Sequence, residues 1–194
     1  MARRPKQELR IRRRDQVRAL ASPVRQALVN ALRRLGRASM RELAHELGKP
    51  PATLYYHAEK LQKAGLLVEV ARRETGRRPE ALYELLAPVL RIDRERKDPA
   101  WRREVDRLVR LHLRELERSL SASLREDAAA GPDGLPPARI STQRARLSPT
   151  DLRELHRRMV AIHDFLEEAT QRAGDADAVQ LCMLAVSPAL DATD

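Results

Sequence analysis

The segment "PATLYYHAEKLQK" (Pro51 to Lys63) gathers Ala52, Thr53, Tyr55, Tyr56, Lys60 and Lys63 in a chain that is only 3% aromatic. Tyr and Thr hydroxyls can bond to phosphates or base edges, a ring can lie on a thymine methyl, and an ammonium group neutralises phosphate. Further along, Arg72, Arg73, Arg77 and Arg78 surround Gly76. Guanidinium groups on a turn suit the same anion, either along a backbone or in a narrow minor groove. The plainer readings are a Tyr ring folded down as packing and a solvated charged turn.

Charge is distributed in a way that favours the first chemistry. Met1 to Glu80 holds 20 Lys or Arg against 8 Asp or Glu, whereas Ala81 to Asp194 holds 18 against 20. The basic excess therefore lies wholly in the first part, and an anionic partner would bind there. The opening "MARRPKQELRIRRRDQ" is too polar and too broken by charge for a bilayer anchor, and reads either as a solvated tail or as one touching phosphates.

Other function classes find little support. Cys182 is the single cysteine and cannot form an internal disulfide, and no secretory leader or membrane-length apolar run is seen, so a reducing cytoplasm is expected. His156 and His163 are seven apart rather than four, and His45, His57 and His112 have no metal-ligand spacing, so no metal site or cofactor is expected. No Gly-x-Ser-x-Gly, phosphate-cradling Gly loop or dinucleotide fingerprint occurs, and no enzymatic activity is expected.

The elements that must position these groups follow from the apolar spacing. Val17, Leu20, Val24, Leu28, Leu32 and Leu35 predict helical structure from about Arg14 to Leu35, interrupted at Ser22-Pro23, with Ser22 as a cap and Pro23 in a new first turn. Ser39 and Glu42 form the Ser-x-x-Glu capping box of a helix that ends at Gly48, and Pro51 opens a fourth helix running to about Ala64. Ala44, Gly48 and Leu54 are the small residue, the turn and the wedge of a helix-turn-helix. "LLVEVA" and "EALYELL" flank "RRETGRRP" as a hairpin. The expected whole is mainly α with a small β wing: a winged helix-turn-helix over 15–87, after a basic tail over 1–14.

If Leu54, His57, Ala58 and Leu61 face inward, then Ala52, Thr53, Tyr55, Tyr56, Lys60 and Lys63 lie on the outer faces of the helix that enters a major groove. No Arg, Asn or Gln faces that groove from the early turns. Sequence choice would then rest on apolar contacts, water and DNA shape.

The stretch "LASPVRQALVNALRRLGRASMRELAHELGKPPATLYYHAEKLQKAGLL", followed by "GRRPEALYEL", resembles the ArsR-type winged-helix transcription regulators of bacterial type. The likeness covers about Asp15 to Leu86, including Leu20 to Arg25, His57 and the Leu-x-x-Ala-Gly-Leu of Leu61 to Leu66. It implies a homodimer that binds a roughly palindromic operator in double-stranded DNA and acts in most cases as a repressor. Two departures stand out. The helix from Met40 to Leu47 lacks the Cys pair by which many members sense metal, and Pro50 occupies a position where the family tends to place a small polar cap.

Beyond a linker over 88–98, the region 99–194 is expected to be α+β, in the order helix, strand, helix, strand. A helix is predicted from Trp101 to about Leu124, a turn-rich linker over 127–139, a strand at "ISTQRARLS", a helix capped by Ser148 and Asp151, and a terminal strand at "VQLCMLAVS". Leu152, Leu155, Met159, Ile162 and Leu166 form a narrow seam, and Leu108, Leu116 and Leu120 belong to a second stripe. Both suit dimerisation. A pocket for a small-molecule effector would fit between these helices and strands, although no residue names a ligand. The competing function from another class is a winged-helix scaffold for protein partners without specific DNA binding, which would need no basic face.

Overall fold

Thirteen residues from Pro23 to Leu35 make a helix because apolar side chains recur every third or fourth position, so that Leu28, Val29, Ala31 and Leu32 share one buried face. The computed structural model describes residues 8–76, 79–93, 96, 98–125, 141–172, 183, 185 and 186. Their order is β1 (Glu8–Ile11), α1 (Arg14–Leu20), α2 (Pro23–Leu35), β2 (Arg37–Ser39), α3 (Met40–Leu47), α4 (Pro51–Lys63), β3 (Leu67–Arg73), β4 (Glu80–Leu85), β5 (Val89–Ile92), α5 (Pro99–Arg125) and α6 (Pro149–Arg172). Close packing divides the chain into two units, Met1–Leu113 and Arg114–Asp194.

In the first unit α2, α3 and α4 pack on one another, and β2, β4 and β3 form an antiparallel sheet in that order. Leu28, Leu32, Leu43, Leu54, Leu61 and Leu66 are fully buried between them. Each such side chain contributes roughly 1.5–3 kcal/mol relative to exposure. The arrangement is a winged helix-turn-helix, as the sequence predicts, with β3 and β4 as the wing. The bulge between Glu69 and Ala71 shifts the register before Arg72 meets Ala81 and Arg73 meets Glu80.

Capping accounts for the helix ends. Ser39 Oγ accepts from the Glu42 N–H at 3.3 Å while Glu42 Oε2 accepts from the Ser39 N–H at 2.6 Å, a reciprocal box. Gly48 exits α3 at φ +57°, which a side chain would resist, and the N–H groups of Gly48 and Lys49 return to the carbonyls of His45 and Ala44. Ser22 departs from expectation: it stands at the N-cap of α2, but its side chain makes no capping bond. The α2 start rests on Pro23 and on the bond from the Gln26 N–H to the Ser22 carbonyl.

Further differences concern long-range partners, which local periodicity does not reveal. The expected tail contains β1, and the expected linker contains β5; the two pair in parallel, from Glu8 beside Val89 to Ile11 beside Ile92, with Ile11 fully buried. The third strand β2 pairs with β4 along Arg37–Ser39, too short for an alternating pattern to register. The first turns of α5 also belong to this core, since Trp101, Leu108 and Leu111 are buried in it.

In the second unit α6 begins as predicted, with Ser148 Oγ accepting from the Asp151 N–H at 3.1 Å. Residues 141–148 form no strand, a correction to the expected strand there. Two arginines and several polar residues in that stretch leave too little apolar surface to stabilise one. The expected 127–139 linker lies outside the described residues. So does most of the terminal strand, and Met183, Ala185 and Val186 carry no regular structure. No described helix is long and apolar enough to cross a membrane.

Candidate nucleic-acid interface

Helix α4 exists because Leu54, Ala58 and Leu61 recur at spacings of four and three, and all three are buried. That anchoring turns Ala52, Thr53, Tyr55, Tyr56, Lys60 and Lys63 outward, and each is exposed. Tyr55 and Tyr56 keep 54% and 57% of their surface free, so neither ring is folded away as packing. The Lys60 ammonium lies 5.2 Å from the centre of the Tyr56 ring, and Lys63 pairs with Glu59. The face is therefore partly ordered: the Tyr56 ring also meets His57 edge-on, with ring centres 5.3 Å apart and planes at 76°.

His57 occupies the flank of α4. Its Nδ1 stands 3.5 Å from Arg25 Nη1, a geometry in which an unprotonated ring nitrogen faces a guanidinium. Burial, then the charges of Arg25 and Lys49, hold the His57 pKa below its ordinary value. Arg25 itself donates to the carbonyls of Ala19 and, at 3.2 Å, Arg18, so it caps the end of α1. A second arginine does the same for α4. Arg13 Nη2 donates to the Ala64 carbonyl at 2.7 Å, beside Gly65, whose φ of +68° closes the helix. Arg25 lies in the Leu20 to Arg25 segment of the resemblance, whereas Arg13 carries no motif and its role depends on tertiary placement.

At the other end, α4 starts on Pro50 and Pro51. The Pro50 carbonyl accepts from the N–H groups of Thr53 and Leu54 at 3.1 and 3.4 Å, and no side chain caps the helix. Pro51 supplies a preset φ and has no N–H to leave unpartnered at the helix start, and the Thr53 N–H that a polar cap could have taken goes to the Pro50 carbonyl instead.

The wing arginines are less free than their sequence suggests. Arg72 Nε lies 2.9 Å from Glu69 Oε1, and Arg73 Nη2 lies 2.9 Å from Glu42 Oε1 and 3.4 Å from Glu80 Oε2. These hydrogen bonds, and then the carboxylate charges, raise the pKa values of both guanidinium groups. Glu42 in turn is held below the ordinary carboxylate value, chiefly by the Ser39 N–H. Arg77 and Arg78 lie outside the described residues. Sequence reasoning passed over Arg41, at the start of α3, whose Nε lies 3.2 Å from Glu80 Oε1. Its only sequence signal is a basic residue just inside a cap.

Between the starts of α3 and α4 and the base of the wing lies a cleft of about 630 Å³, with Arg41, Pro51, Tyr55, Arg72, Thr75 and Glu80 among its walls. Such a set of cations, a hydroxyl-bearing ring and a carboxylate can hold an anion.

The residues expected at a dimer surface fall into two groups. Leu108 is 3% exposed within its own chain, which corrects its assignment to an intersubunit stripe: with Trp101 and Leu111 it completes the first unit's core. Leu116 and Leu120 on α5 are half-buried, as are Leu155, Met159 and Leu166 on α6, whereas Leu152 and Ile162 are exposed at 39% and 44%. The α6 seam is thus not fully covered by its own chain.

Residues 20–70, about a quarter of the chain, match a protein-family model described as a helix-turn-helix domain. No curated protein matches. Among solved structures the chain is similar to the transcriptional regulator homologue protein from Pyrococcus horikoshii OT3, with 19% identity over 53% of this chain and 88% of that one and a TM-score of 0.32. The first unit thus combines a winged fold with a segment similar to helix-turn-helix domains.

Proposed function

We propose that this chain is a non-enzymatic, sequence-specific DNA-binding regulator of transcription, which lays α4 in the major groove and sets its wing on the backbone or in the minor groove. The outer face of α4 carries this reading: Thr53, Tyr55, Tyr56, Lys60 and Lys63 are all exposed on a helix anchored by Leu54, Ala58 and Leu61. The basic excess before Ala81 supports the same partner. Arg72 and Arg73, and with them Arg77 and Arg78, act as anchors rather than readers.

The finer reading follows the ArsR-type resemblance: a homodimer on a palindromic operator, acting as a repressor, with an effector of unassigned chemistry. The incompletely covered seam of Leu152, Leu155, Met159, Ile162 and Leu166 supports a second copy as its cover. The scaffold alternative draws support from the pairing of Arg72 and Arg73 with carboxylates, which lowers the free charge of the wing. A hydroxyl-radical footprint on genomic fragments selected by the protein separates the two. The DNA reading expects two protected patches centred about one helical turn apart, or a multiple of it, on a shared sequence. Uniform protection of every fragment, or none, would remove sequence-specific recognition.

A further inference from the structure

The cleft at the base of the wing holds its cations already paired, and this bears on how the interface would bind. Resting on the DNA-binding reading, we propose that the cleft seats one phosphodiester group of a duplex backbone by exchange of partners, Arg41 leaving Glu80 and Arg72 leaving Glu69 for the phosphate oxygens. Glu80 and Glu69 thereby act as built-in competitors of DNA.

Both pairs are poised to exchange. The side chains of Arg41 and Arg72 are 79% and 69% exposed, so their carboxylate contacts at 3.2 and 2.9 Å are solvated and weak. A phosphodiester offers two charged oxygens in the spacing that a guanidinium fork meets best. The departure of Arg41 also leaves Glu80 with a partner. Its side chain is only 16% exposed, and its second oxygen keeps Arg73 at 3.4 Å, itself tied to Glu42 at 2.9 Å. Arg41 comes from α3 and Arg72 from β3, so a group held by both would bridge the helix pair and the wing.

Exchange leaves a signature in salt dependence. An unpaired arginine that meets a phosphate releases the phosphate's counterion, whereas a paired one also leaves its carboxylate with one cation fewer beside it, which draws cations back from solution and offsets part of that release. Removing the carboxylate charge restores the missing release. On a random-sequence duplex, Glu80→Gln in the full chain should steepen the log–log salt slope, by at most about 0.9, the contribution of one phosphate. It should also tighten binding roughly 5-fold at low salt, through removal of one like charge near the phosphate. Glu69→Gln should do the same independently, and Arg41→Gln should weaken binding to every sequence.

Fluorescence anisotropy across a potassium chloride series reads both quantities. If the wild-type chain binds but the two Gln variants bind more weakly, or keep its slope, the carboxylates position the arginines instead and the exchange is overturned. A wild-type chain with no salt-dependent binding overturns the DNA reading and the exchange together.

Discussion

Arg18 reaches from α1 to Glu104 on α5, 86 residues later, with Nη2 at 2.7 Å and Nε at 3.2 Å from the same carboxylate oxygen. The pair is asymmetric: the Glu104 side chain is 8% exposed and the Arg18 side chain 58%. Removing Arg18 leaves a nearly buried carboxylate held by Arg107 at 3.3 Å, whereas removing Glu104 leaves a cation that water can reach. Arg18→Ala should therefore cost more stability than Glu104→Gln. Urea unfolding of the two variants measures this, and equal midpoints would contradict it.

Acid should destabilise the chain in two steps. His57 has its pKa lowered from an ordinary 6.5 by burial first and then by Arg25 and Lys49, with Tyr56 packed beside it. The unfolded chain therefore takes up this proton before the folded one does, and stability declines as pH falls below about 6.5. Glu104 and Glu42 are depressed from an ordinary 4.5, through Arg18 and the Ser39 N–H respectively. Their contribution is intact above that value and is lost as pH falls through their folded pKa values. Thermal midpoints from pH 8 to 3 should show both declines, and His57→Gln should remove only the upper one.

Fragment lengths test where the first unit ends. Trp101, Leu108 and Leu111 are 2%, 3% and 6% exposed, all in the core that α1 to α4 share. A chain ending at Leu90 loses these residues and half of β5, while one ending at Leu113 keeps them. The longer fragment should unfold cooperatively and the shorter should not, because loss of a buried Trp alone costs roughly 3–5 kcal/mol. Comparable urea midpoints would place α5 outside the core.

Readers and anchors should separate by substitution. Tyr55→Ala and Tyr56→Ala should cost unequal amounts on different duplexes, on the order of 1–3 kcal/mol where a base contact is lost. Arg72→Ala should weaken specific and random DNA about equally. Anisotropy on a selected fragment and on a scrambled one gives the comparison. Identical behaviour of all three variants would end this division of labour.

Much of the site was legible because local rules fix it. The Ser39–Glu42 box, the Gly48 exit, Pro51 at the start of α4 and the inward triad of Leu54, Ala58 and Leu61 are all short-range, and together they determine which way Tyr55 and Tyr56 face. What was not legible depends on partners far apart in sequence. The pairing of β1 with β5, the hold of Arg13 on Ala64, and the carboxylates Glu80 and Glu42 opposite Arg41 and Arg73 leave no periodic trace, since a surface charge carries no mark of what it meets. Leu108 shows the same limit, because an apolar stripe reveals that a helix is covered and not by what.

The central claim is that the first unit binds duplex DNA through its basic face. The most direct measurement is the affinity of the full chain for a duplex of about three helical turns, followed across ionic strength. Two copies engaging α4 and wing on a backbone should give a log–log slope steeper than about −3, at about −0.9 for each phosphate neutralised. A flat salt response, or no binding at low salt, would contradict the account.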